Sequence, residues 1–71
     1  MSKFIFSEET ETALIEDLAD SLKRRGFDAK LRREYVLTIG EDLDAYDVKL
    51  VLDMIDDMVS LDFVDSIVIN R

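Results

Sequence analysis

The chain has 71 residues, no cysteine and no histidine, and its 17 acids against nine lysines and arginines give a net charge of −8. Disulfides and thiolate metal sites are thereby excluded, together with the commonest general base and the commonest metal ligand. Apolar residues make up 48% of the chain, far too many for a disordered acidic tail, so one folded acidic domain is expected over residues 1–71. A domain of this size hides only about 60% of its unfolded surface and must rely on a tight core or on self-association. No apolar run approaches the ~20 residues of a membrane span. The start, MSKFIFSEET, has no small-residue cleavage site behind its short apolar patch. A cytoplasmic location is therefore expected. The net negative field opposes nucleic acid and anionic membrane and favours basic partners.

Lys3–Phe6 is a short aromatic and β-branched run and predicts a strand. Ser7 then stands where a helix N-cap would, followed by Glu8 and Glu9, which suit the positive end of the helix dipole. Leu14, Ile15, Leu18, Ala19 and Leu22 recur at helical spacing and predict a helix from Glu8 to Arg25. Lys23, Arg24 and Arg25 fall in its last turn, and Gly26 fits the left-handed position just beyond it. Phe27 can then fold back on Leu22, as in a Schellman ending.

Residues 27–39 alternate. Phe27, Ala29, Leu31, Tyr35, Leu37 and Ile39 share one parity, which means strand. The run is long for one strand, so a hairpin turning at Arg32-Arg33-Glu34 is expected, with Leu31 opposite Tyr35, Ala29 opposite Leu37 and Phe27 opposite Ile39. A two-residue loop at Arg32-Arg33 would set Leu31 against Glu34 and invert the faces. One long bent strand is the alternative. Gly40 ends this region, Asp42 or Asp44 can cap a second helix reaching about Ser60, and Asp65–Asn70 predicts the last strand. Strand, helix, hairpin, helix, strand is the βαββαβ order of a ferredoxin-like α+β sandwich, two helices on one face of an antiparallel sheet.

The second helix has two contrasting sides. Val48, Val51, Leu52, Ile55, Met58 and Val59 form the natural core contact, and Asp42, Lys49, Asp53, Asp56, Asp57 and Ser60 lie opposite. Leu50, Met54 and Leu61 line a flank beside Tyr46, widening the apolar arc to roughly 200° where one sheet face needs about 100°. These four are candidates for a homodimer interface; the first helix of the same chain, or the loop, could cover the flank instead. The charge is localised here. Glu41, Asp42, Asp44, Asp47, Asp53, Asp56, Asp57, Asp62 and Asp65 are nine acids against the single base Lys49, which accounts for the whole net charge; the other residues hold eight acids and eight bases. Carboxylates held on a rigid helix can imitate a row of phosphates, so these nine acids are the candidate partner-binding residues. A calcium loop starting at Asp42 is rejected, because the glycine expected at its sixth position is Asp47 and the segment reads as helix.

Lys23, Arg24, Arg25, Lys30, Arg32 and Arg33 put six bases into eleven residues. They suit a helix C-terminus and a protected edge hairpin. Two other readings stay open: a phosphate-binding patch, and a contact for the acidic helix of another copy. No nucleophile–base pair, glycine-rich phosphate loop or metal spacing is present, so neither catalysis nor a cofactor is expected.

In size and in this localised carboxylate field, the chain resembles small acidic bacteriophage host-takeover proteins of the DNA-mimic type, a class that includes an inhibitor of the bacterial nucleoid protein HU. The resemblance implies that the acidic face occupies the DNA-binding surface of a basic host protein, in the host cytoplasm, and competes with DNA. The other expectation compatible with the residues is a small dimeric protein-protein interaction domain without mimicry.

Overall fold

The computed structural model describes residues 1–71. β1 covers Ser2–Phe6, α1 Thr12–Arg24, β2 Ala29–Arg33, β3 Val36–Ile39, α2 Ala45–Met58 and β4 Val64–Val68, with a 3-10 turn, Leu61–Phe63, leading into β4. The strands form one antiparallel sheet in the order β2-β3-β1-β4. With both helices on one face, this is the ferredoxin-like arrangement expected from the element order.

Alternation decides what each strand buries. Phe4 and Phe6 of β1, Leu37 and Ile39 of β3 and Ala29 of β2 point into the helix layer and are buried. They meet Ile15, Leu18, Ala19 and Leu22 of α1, Val51, Met54 and Ile55 of α2, and Leu43 from the loop before α2. The total accessible surface is 4457 Å², close to the about 4,500 Å² of a folded monomer of this mass. The surface of the single chain is thus that of a compact fold of its size.

The end of α1 forms as its sequence dictates. Gly26 takes φ +97°, the Gly26 N–H donates to the Lys23 carbonyl at 2.9 Å and the Phe27 N–H to the Leu22 carbonyl at 3.1 Å. These are the two bonds of a Schellman motif, and only glycine enters this backbone region without strain. The start of α1 is different from the expected Glu8. Ser7 does act as a local cap, its hydroxyl accepting from the Glu9 N–H at 3.2 Å, but the Thr10 N–H closes a turn on the Ser7 carbonyl at 3.0 Å. Glu11 is extended, and helix begins only at Thr12. No apolar side chain precedes Ala13 in this segment, so nothing anchors an earlier helical turn to the sheet.

The hairpin is present, but its turn lies at Glu34-Tyr35 rather than at Arg32-Arg33-Glu34. Leu31 pairs with Leu37, Ala29 with Ile39 and Arg33 with Val36, with an irregularity between Leu31 and Arg33. The extra residue, Arg32, restores the parity that a two-residue loop would otherwise have inverted. The apolar face survives in a register one pair away from the expected one.

The last strand is Val64–Val68 instead of Asp65–Asn70, and Asn70 has another task. It adopts φ 56°, a left-handed conformation that asparagine tolerates better than most residues. Its side-chain oxygen accepts from the Leu43 N–H and its amide nitrogen donates to the Leu43 carbonyl, each at 2.7 Å, while its own backbone N–H donates to the Ser2 hydroxyl at 3.0 Å. One side chain thereby ties the segment that launches α2 to the edge of the sheet. Asn70→Ala is expected to cost about 2 kcal/mol, from two lost hydrogen bonds and the less tolerant backbone. Thermal unfolding followed by circular dichroism should show a midpoint about 10 °C lower.

Candidate protein-docking face

α2 starts at a true cap. The Asp44 carboxylate accepts from the Asp47 N–H at 2.8 Å, and Asp47 itself sits in the favourable first turn. From there the helix buries Val51, Met54 and Ile55, with Val48, Leu50, Leu52, Met58 and Val59 half-buried at the margins. The inward direction is rotated toward the Met54 side, because α1 packs there: Met54, Asp57 and Met58 share a groove with Ser21 and Arg24 of α1 and with Arg25 just beyond it. Of the flank expected to bind a second copy, the chain itself therefore buries Met54 and half-buries Leu50. Met54 is 8% exposed, while Tyr46 is 74% and Leu61 41% exposed. Tyr46 and Leu61 stand about 20 Å apart along the helix direction. Tyr46, Leu50, Met54 and Leu61 do not make one free apolar strip.

The outward face of α2 carries Tyr46, Lys49, Asp53, Asp56 and Asp57, all exposed. Lys49 Nζ pairs with the Asp53 carboxylate at 3.0 Å, leaving Asp56 and Asp57 without an ion pair. Asp42, just before the cap, is exposed and lies 3.9 Å from the N-terminal ammonium. Asp62 is exposed in the 3-10 turn beyond the far end of the helix. Together these residues present carboxylates along the length of α2.

The chain matches no protein-family model, no curated protein and no solved structure.

Three of the nine candidate acids serve elsewhere. Glu41 accepts from the Asp28 N–H at 3.0 and 3.3 Å and so closes the end of the hairpin. Asp65 lies on edge strand β4 and borders a hollow with Glu8, Glu9 and Arg33, remote from the outward face of α2. Asp44 is engaged as the helix cap. Nowhere do three carboxylates converge to hold a metal ion, and no helix is long and apolar enough to cross a membrane.

The basic cluster also divides. Lys23 pairs with Asp20 at 3.8 Å and Arg24 donates to the Ser21 hydroxyl at 3.0 Å, both at the end of α1. Lys30, Arg32 and Arg33 belong to β2. Two placements escaped the sequence reading. Tyr46 belongs with the carboxylates and not with an apolar flank; its position seven residues before Asp53 would have placed both on one stripe. Lys3 stands beside the cations of β2, which only the strand order brings about.

Proposed function

We propose that the chain is a non-enzymatic inhibitor that uses α2 as a DNA mimic, occupying the DNA-binding surface of a basic host protein such as nucleoid protein HU. The observation that carries this reading is the placement of Asp53, Asp56 and Asp57 on the C-terminal half of α2, whose last turn holds no base of its own. Asp56 and Asp57, in the last turn, each oppose the dipole by about 0.3–1 kcal/mol, and Asp53 and Asp57 repel one another at i, i+4 spacing. α1 follows the opposite rule, with Lys23 and Arg24 in its last turn. A chain that obeys the dipole in one helix and opposes it in the other is spending stability on charge directed outward.

The chemistry suits a cationic partner. Short aspartate side chains on a helix stay within a few ångströms of fixed backbone positions and lose less freedom on binding than longer acids. Carboxylates ~5–6 Å apart at Cβ can meet the lysines and arginines that otherwise hold phosphates. Exposed Tyr46 adds an aromatic anchor of the sort enriched at binding hot spots. Acting only by occupying a surface, the chain needs neither cofactor nor catalytic residue. The test is a competition between the chain and duplex DNA for HU: displacement of DNA is expected, and retention of DNA under excess chain refutes the proposal.

A further inference from the structure

The face of the sheet that no helix covers carries the opposite charge. Cross-strand pairing lays two rows across it: Lys30, Thr38, Lys3 and Val68 in one, and Arg33, Val36, Ile5 and Ser66 in the next. Arg32, at the irregularity in β2, joins Lys3, Ile5, Arg33 and Val36 around one shallow hollow. Lys3, Lys30, Arg32 and Arg33 are exposed, and none forms an ion pair. Strand spacing sets Lys3 and Lys30 about 10 Å apart, with the two rows about 7 Å from one another. Half-buried Ile5 and Val36 provide a small apolar floor between the cations.

We propose that this face docks the acidic face of α2 from a second copy, so that copies associate head to tail. The two faces cannot neutralise each other within one chain, because the sheet and the helix layer lie between them. The shortest dimension of the molecule is 20 Å, far beyond the reach of an ion pair between side chains on opposite faces. Their spacings correspond: a turn of helix advances about 5.4 Å and sets Asp53 against Asp56 and Asp57, near the ~7 Å separation of the cationic rows. Like faces exclude themselves. Two sheet faces would oppose four cations to four, and two α2 faces would oppose aspartates to aspartates, so only unlike faces attract. The contact is therefore heterologous and extends into open chains. Single-stranded nucleic acid is the less suited occupant, since Ile5 and Val36 stand where stacking aromatics are needed and the net charge of −8 opposes a polyanion.

This association stands independently of the partner proposed above, yet it uses the same face of α2, so a basic partner and a second copy exclude each other. Sedimentation velocity of the full chain tests it without any partner, up to about 1 mM protein and between about 0.1 and about 1 M salt. Association at low salt that weakens at least ten-fold at high salt is expected. Arg32→Glu with Arg33→Glu, and separately Asp53→Lys with Asp57→Lys, should each yield monomers, and mixing the two variants should restore association through the one intact face of each. Should the first variant lose its circular dichroism, Lys3→Glu with Lys30→Glu takes its place. A wild-type chain that stays monomeric overturns the proposal, as do variants that still associate alone or a mixture that fails to recover. Binding of a single-stranded oligonucleotide by a monomeric wild type, lost in the arginine variant, would reassign the face to nucleic acid.

Discussion

Replacing Asp53 and Asp57 together by lysine is expected to weaken binding to a basic DNA-binding protein about 100-fold, taking each reversed charge to be worth roughly 1.5 kcal/mol at such a contact. The fold should survive, because both side chains are exposed. The direction of the stability change makes the result interpretable. The substitutions remove the Lys49–Asp53 ion pair and place a new lysine one turn from Lys49, a cost of a few tenths of a kcal/mol. Asp57→Lys also puts a cation in the last turn of α2, a gain of about 0.3–1 kcal/mol. Net stability should hold or rise while binding falls. Isothermal titration calorimetry at ~0.15 M salt, beside a denaturation curve, reads both. A variant that binds as well as the wild type would show that the charge of α2 is only solvated.

The largest stability effect is expected at Phe4. It is fully buried in central strand β1, opposite Leu37 on one side and Ile67 on the other. Phe4→Ala should cost about 3–5 kcal/mol, the lost burial plus the cavity left behind. A chain of 71 residues has only about 4–10 kcal/mol in total. The variant should therefore be largely unfolded or melt more than 15 °C lower, as near-ultraviolet circular dichroism during a thermal ramp would show. Ile67 lies in the same cross-strand row but is 42% exposed at the sheet edge, so Ile67→Ala should cost much less. Equal effects at the two positions would mean that the core is not centred on β1.

What was legible in the sequence follows from the range of each interaction. The Schellman ending at Leu22–Phe27 is closed by bonds within six residues, and it forms as read. The parity of Ala29, Leu31, Leu37 and Ile39 was legible because burial acts on alternation itself. The register was not: a bulge at Arg32 keeps the same faces with a different turn, and no glycine or asparagine marks the turn. The start of α1 was misplaced because Ser7, Glu8 and Glu9 suit a turn as well as a helix, and tertiary anchoring decides between them.

Long-range placement was the least legible part of the candidate site. The position of Met54 depends on where α1 crosses α2, so one member of the apolar flank is covered while Tyr46 and Leu61 stay exposed. Glu41 and Asp65 count toward the local charge, yet the fold turns them toward the hairpin end and the β4 edge. Lys3 joins Arg32 and Arg33 only because β3 and β1 are neighbours in the sheet. The acidic half of the bipolar surface belongs to the contiguous segment around α2, whereas the basic half is completed by the topology that brings Lys3 beside β2.

The most direct measurement is a competition titration with a labelled DNA duplex held by HU at ~0.15 M salt, to which the full chain is added. Progressive release of the duplex by the wild-type chain is expected, and none by the Asp53→Lys, Asp57→Lys variant. A duplex that stays bound under a large excess of wild-type chain, or that both chains release equally, would contradict it.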